Sequence, residues 1–352
     1  MDVKKLIAAL GLSVLFIGIL VGLHWLPRHS NRHHLRVFVW SNYFSDAVLE
    51  QFTAQTGIPV ELSFFTSDEE LYAKLRAGAS GYDIIQPSDY MVQHFRKAGM
   101  LAPLQHRLLP HLKNLGRRWR VAAYDKNLAY SVPFTYGITG IAYDSVVWQR
   151  LMGSPPPRSW SVLLAPPSPL SDDAKPALAL LDNAREVLGA ALLWKGKSPN
   201  ALSQENLKLA QDIVRQAKPH ILLFNSEPKQ LLLKEEITVA HIYSSDAAQA
   251  MAQNPHIRFF VPQEGAIEWV DSFAIPATSS HVTEAHRWID FFLQPEHVGP
   301  LATANHLQSP VLKSGEKIGL TGLLEGTPLY YLLDDPETLE LVNQLWTEIK
   351  TY

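Results

Sequence analysis

Between residues 35 and 99 short apolar runs alternate with amphipathic ones, and this alternation constrains the fold more than any other feature of the chain. Residues 35–40, 58–65 and 82–86 read as buried strands. Ser45 opens a helix carrying Val48, Leu49 and Phe52, and Gly57 closes it. Ser67-Asp68-Glu69-Glu70 is a capping box opening a second helix, with Leu71, Tyr72 and Leu75 on its apolar side. Ser88 caps a third, which ends at Gly99. Strands separated by helices cannot pair as hairpins. They form a parallel sheet with helices on its faces.

The rest of the chain keeps the same alphabet. Residues 129–143 read as extended segments around Pro133 and Gly137, a crossover into a second lobe. Residues 153–172 are rich in Pro and Ser and read as a surface excursion. Asp182 opens a helix through Arg185, Val187 and Leu188, and Ser203 caps another that runs to Ala217. Residues 239–243 are a strand, residues 255–262 contain one, and a third passes through Trp269. Residues 283–293 form a helix whose apolar side is Trp288, Ile289, Phe291 and Phe292, and a last helix spans 336–350.

The chain has 352 residues, enough for two domains, and 47% are hydrophobic, enough for sizeable cores. Lys4 and Lys5 precede an apolar run over residues 6–26. Its length approaches that of a bilayer span, and no Ala-x-Ala follows it. That favours an uncleaved signal anchor over a cleaved signal peptide in residues 1–27. Residues 28–35 are a polar tether in which His29, His33 and His34 read as solvated rather than metal-bound. Either reading of the apolar run places the body outside the cytoplasmic membrane, in the periplasm, and the anchor reading tethers it to the inner membrane. The net charge is -3, and removing Lys4, Lys5, Arg28, Arg32 and Asp2 with the N-terminal segment leaves the body more acidic. An acidic body argues against nucleic acid and suits a cation. There is no cysteine, which excludes thiolate metal sites, cysteine nucleophiles, disulfides and an acyl anchor.

No enzyme constellation stands out: there is no Gly-x-Ser-x-Gly elbow, no phosphate-binding Walker loop and no His-Glu-x-x-His. Ser314-Gly315-Glu316-Lys317 matches Ser-x-x-Lys without its companion motifs. Tyr330-Tyr331 resembles an iron-holding tyrosine pair, but nothing else in the chain completes such a site. The pair with chemical content is Trp269 and Asp271. An extended strand has a period of two, so the indole and the carboxylate project from the same side. A carboxylate beside an aromatic face suits an alkylammonium group: the ring attracts the cation and covers the methylenes, while the carboxylate accepts N–H bonds. Trp40-Ser41-Asn42-Tyr43 and Pro87-Ser88-Asp89-Tyr90 follow the first and third strands, at the sheet edge where open α/β folds bind ligands. Helix N-termini there repel a cation, so side-chain carboxylates must meet its charge. Asn183 and Glu186 share a helix face, and Asp246 follows the strand ending at Tyr243.

These segments resemble the periplasmic spermidine/putrescine-binding proteins of polyamine ABC transporters. The resemblance covers nearly all of residues 36–310 and is strongest in Trp40-Ser41-Asn42-Tyr43, in Leu181-Asp182-Asn183-Ala184-Arg185-Glu186-Val187 and in residues 264–276. It implies a type II α/β fold of two lobes with a ligand cleft between them, following the N-terminal apolar helix. The N-lobe would be residues 36–135 plus 268–308, and the C-lobe residues 136–267 plus 309–352. It implies that Trp40, Tyr43, Tyr90, Tyr243 and Trp269 line an aromatic box. Glu186 and Asp271 would hold ammonium groups, Ser41 and Ser88 would lie at the rim, and Asp246 matches an acid of the putrescine-preferring branch. Asn42 and Asn183 replace acids of the spermidine type, and Leu307 falls where that type has a tyrosine. With Asp246 kept, this favours putrescine over spermidine. The implied partner is an ABC transporter permease, and the implied protein is a monomer with no cofactor and no enzymatic reaction. An anchored polyamine sensor, or a binder of another small cation on this scaffold, is the alternative.

Overall fold

A computed structural model describes residues 34–41, 43–78, 81–167, 176–311, 326–333 and 336–351. The expectations for the apolar N-terminal run, for His29 and His33 of the tether, for Asn42 and for Ser314-Gly315-Glu316-Lys317 lie outside the described residues. Among the described residues, no helix is long and apolar enough to cross a membrane.

From Leu35 onward the chain forms one compact unit. It opens with β1 (Leu35–Trp40), α1 (Asp46–Thr56), β2 (Val60–Phe65), α2 (Asp68–Arg76), β3 (Ile84–Ile85) and α3 (Asp89–Lys97). β1 pairs in parallel with both β2 and β3, as the alternation requires. The third strand is shorter than its apolar run. Asp83 and Gln86 still donate backbone bonds to Arg36 and Phe38 of β1 on either side of it. Gly57 ends α1 in the left-handed region at φ 71°, where a residue without Cβ is unstrained. The capping box at α2 is offset: Ser67 Oγ accepts from Glu70 N at 3.1 Å, but Glu70 Oε2 turns back to Thr66 N at 2.9 Å.

β4 (Ser131–Asp144) is the seam of the molecule. Its first half runs antiparallel to β9 (Ala266–Ala274), and its second half pairs with β7 (Val239–Tyr243) and β8 (Ile257–Phe260). The β4–β9 register slips between Pro133 and Thr135, where proline has no N–H to give the ladder. β5 (Leu178–Leu180) then lies parallel to β7 and to β6 (Ile221–Phe224). The path through the sheet is β2-β1-β3-β9-β4-β7-β5-β6, with β8 joined to β4 off this path. The second half carries helices α4 (Ser145–Met152), α5 (Ser161–Leu164), α6 (Ala184–Trp194), α7 (Gln204–Ala217), α8 (Pro228–Leu233) and α9 (Ser244–Gln253). α10 (Val282–Phe292) and α11 (Pro295–Ala304) return to the first half. There Trp288 and Phe292 of α10 pack on Phe44, Phe134 and Phe273 beneath β4 and β9. Each fully buried side chain of this kind contributes about 1.5–3 kcal/mol.

Two expectations need correction. The described part of the 153–172 stretch, residues 153–167, is not simply a surface excursion: Trp160, Val162, Leu163 and Leu164 are buried in the core around α5, although Pro and Ser dominate the surrounding composition. The helix after β5 is capped by Asn183, not Asp182, because Asn183 Oδ1 accepts from Glu186 N at 3.1 Å. The tail returns as β10 (Leu329–Tyr330) beside β9, and as α12 (Pro336–Thr351), which packs against α6 and α7. Tyr330 and Tyr331 thus belong to a docked strand and its exit. Among the described residues no cluster of His, Asp or Glu is placed to hold a metal.

Candidate functional site

The carboxyl ends of β1, β2, β3, β5, β6 and β7 converge on one cleft of ≈ 160 Å³, with β9 along its floor. All ten residues singled out from the sequence line it: Trp40, Ser41, Tyr43, Ser88, Tyr90, Glu186, Tyr243, Asp246, Trp269 and Asp271. Leu307 is buried but does not line the cleft.

The strand period delivers Trp269 and Asp271 to the same side. The indole lies over the α-carbon of Gly137, its cross-strand partner, and meets Tyr243 edge-on with centroids 5.7 Å apart. Trp40 packs on Phe65 at 4.5 Å at the end of β1. Asp271 is 4% exposed, too buried to hold a charge without partners. Tyr43 Oη donates to its Oδ2 at 2.8 Å and Ser88 Oγ to its Oδ1 at 3.1 Å. Ser88 therefore does not cap α3 with its side chain, as its position suggested; the hydroxyl is committed to Asp271, which is 183 residues away in sequence.

Sequence reasoning passed over five charged lining residues, one of them Asp182, which it read only as a helix opener. Asp68 was absorbed into a capping motif, yet its carboxylate faces the site and accepts from Ser88 N at 3.1 Å. Asp89 opens α3 within the quoted Ser88-Asp89-Tyr90 segment, a signal that was available. Glu227 accepts from Ser41 Oγ at 3.1 Å, and Lys229 lies 3.4 Å from Asp246. No motif marks either of these two.

Seven carboxylates line the cleft (Asp68, Asp89, Asp182, Glu186, Glu227, Asp246 and Asp271), with Lys229 as the one lysine or arginine among the described lining residues. Asp182 is paired with Lys350 of α12 at 2.9 Å, and Asp246 with Lys229. Asp68, Asp89, Glu186, Asp271 and the exposed Glu227 form no ion pair among the described residues, and Glu186 Oε2 and Asp89 Oδ2 have no hydrogen-bond partner there either. Four of the seven sit in the first turns of α2, α3, α6 and α9, where helix N-termini favour anions. Burial nonetheless dominates. It pushes Asp68 and Glu186 each up to about 8 and Asp271 up to about 7, against the hydrogen bonds Asp271 receives from Tyr43 and Ser88. Asp89 is pushed well above the usual carboxylate range by burial, and then by the charges of Asp271, Asp68 and Glu186. These acids share one electrostatic environment and hold protons near neutrality.

This has a sign that can be measured. A carboxyl raised in the folded state contributes stability that is complete below its unfolded value near 4 and is lost as pH rises through its folded value. For Asp271, Asp68 and Glu186 that window runs from about 4 to about 8. The melting temperature of the ligand-free protein should therefore fall between pH 5 and 8. A cationic ligand needs the ionised form, so its stabilising shift should grow over pH 6 to 8, with protons released on binding. A ligand-free melting temperature that rises over that range would contradict the placement of these groups.

An α/β fold with an acidic, aromatic-walled cleft at the carboxyl ends of its strands defines a solute-binding protein of the type II class. The comparisons bear this out, and the chain belongs to the family described as bacterial extracellular solute-binding protein, which matches residues 47–317. It is 34% identical to the spermidine/putrescine-binding periplasmic protein 1 of Haemophilus influenzae over 73% of this chain and 69% of that one. It is 32% identical to a putrescine/cadaverine-binding protein of Pseudomonas aeruginosa over 90% and 93% of the two chains. A solved structure titled putative spermidine/putrescine ABC transporter from Listeria monocytogenes superposes with a TM-score of 0.81 at 28% identity, covering 91% of this chain and 99% of that one.

Proposed function

We propose that the protein binds a polyamine outside the cytoplasmic membrane, putrescine ahead of spermidine, and delivers it to the permease of an ABC transporter. The observation that carries this reading is the set of four buried lining carboxylates without an ion pair, set against Trp40, Tyr243 and Trp269. Such a wall attracts alkylammonium groups and covers the methylenes between them, each cation–π contact contributing about 0.5–2 kcal/mol. Asp271, Glu186, Tyr43, Ser88, Tyr90 and Ser41 act with these rings as ligand contacts, and Asp246 faces the far end of the chain. The lobes, residues 36–135 with 268–308 and residues 136–267 with 309–352, close over the ligand about the β4 and β9 crossings. The apolar N-terminal run tethers this monomer to the inner membrane. The names of the relatives support the ligand class, and the family description supports binding without bond making.

Calorimetric titration with putrescine, cadaverine, spermidine and spermine tests the proposal. One-to-one binding with putrescine tightest is expected. Spermidine ahead would retain the class and overturn the preference, and no heat with any polyamine would reject the assignment. Trp269→Leu should weaken binding and abolish most of the ligand-induced change in tryptophan fluorescence, since the indole is the largest ring on the cleft floor. Unaltered affinity in that variant would remove Trp269 from the site.

A further inference from the structure

Lys229 stands where the amine reading expects part of the ligand. Its Nζ lies 3.4 Å from Asp246 Oδ1 and donates to Gln249 Oε1 at 2.6 Å. Gln249 is held in turn, its Nε2 donating to the Asn305 carbonyl at 2.7 Å. Asp246 and Gln249 are three apart on α9 and so present one face, and Lys229 reaches both from the first turn of α8. The lysine side chain is 12% exposed and that of Asp246 26%, so the pair sits largely out of water, inside the cleft lining. Two opposite charges in that setting neutralise each other, and removing one leaves the other uncompensated.

The cleft is therefore asymmetric. Asp68, Asp89, Glu186 and Asp271 line the cavity with no lysine or arginine in ion-pair reach among the described residues. At Asp246 the charge is already balanced by the chain's own ammonium, and the neighbouring carboxylate, Glu227, is exposed and bonded to Ser41 Oγ. A second ligand ammonium arriving there meets a like charge and must displace it.

We infer that Lys229 is the specificity-determining residue of the cleft, an internal ammonium that occupies the counter-charge of a diamine's second amine. The inference rests on the amine reading above and refines it. A ligand ammonium is bound strongly among the unpaired carboxylates, while the Asp246–Lys229 pair meets the rest of the ligand as a neutral, polar surface. The diamine gains little from its second charge, and a four-carbon amine carrying a single charge competes with it.

The test is titration of the full-length wild-type protein, Lys229→Gln and the double variant Lys229→Gln/Asp246→Asn with putrescine and with n-butylamine, folding being checked by circular dichroism. In the wild-type protein the two ligands should differ in affinity by less than about tenfold, since Asp246 is not free to meet the second ammonium. Lys229→Gln should bind putrescine at least about tenfold more tightly with n-butylamine little changed, because Asp246 is released for the ligand. The double variant should lose that gain. If Lys229→Gln binds putrescine no better than wild type, or the wild-type protein already prefers the diamine by about a hundredfold, the role of Lys229 is overturned while the polyamine reading stands. Absence of binding by either ligand to every variant would overturn both.

Discussion

Asp271→Asn should lower the affinity for putrescine by at least about tenfold, the cost of burying an ammonium without its counter-charge. The substitution is nearly isosteric. Tyr43 and Ser88 both donate to Asp271, and an amide oxygen can still accept one of those bonds. What is lost is charge, at the one acid of the cleft that is held from both sides by side-chain hydroxyls. The effect should be larger at pH 8 than at pH 6, because burial raises the carboxyl to about 7 and the wild-type group is partly neutral at the lower pH. Calorimetry at the two pH values separates this from a packing defect, which would be independent of pH. An affinity within experimental error of wild type would remove Asp271 from the ligand site.

Gly137→Ala should be nearly as damaging, although this residue touches no ligand in the proposed site. A Cβ at Gly137 would lie 2.3 Å from Trp269 Cζ2 and 2.8 Å from Ser244 Oγ. The backbone on both sides is fixed: Gly137 is registered opposite Trp269, and Ser244 Oγ accepts from Ile138 N at 3.2 Å. The indole therefore has to leave the strand surface and enter the cleft. Overpacking of this kind costs about 1–3 kcal/mol of stability. The displaced ring should also reduce putrescine affinity by about tenfold, the loss of one desolvated cation–π contact. Thermal melting and calorimetry on the same preparation check both effects. Wild-type binding in a destabilised variant would mean that the indole position matters to the fold alone.

Much of this architecture is legible in the chain because it follows from local rules. Leu35–Trp40 is a strand at the predicted bounds, and Ser203 caps α7 through its hydroxyl, accepting from Asn206 N. The strand period placed Trp269 beside Asp271 without any tertiary information. The errors arose where a local rule had a distant competitor. Ser88 has the position of a helix cap, but a carboxylate brought in by β9 takes its hydroxyl. The apolar Trp160-Ser161-Val162-Leu163-Leu164 run was hidden by the prolines and serines around it, yet it packs in the core because a small helix there covers β5 and β7. Asp68 satisfied a capping motif so well that its second role, in the cleft, left no trace in the sequence.

Residue order by itself determined the alternation of strand and helix, the side of β9 that carries an indole and a carboxylate, and the acidity of the loops at the strand ends. Each of these depends on periods of 2.0 or 3.6 residues and on nearest neighbours. Tertiary structure alone decided which acids are left unpaired for a ligand. Lys229 on α8 and Lys350 on α12 neutralise Asp246 and Asp182, while Asp271, Glu186, Asp68 and Asp89 are left to share protons in a buried cleft. Coulomb energy and desolvation depend on distance and burial in space, and neither can be read from separation along the chain.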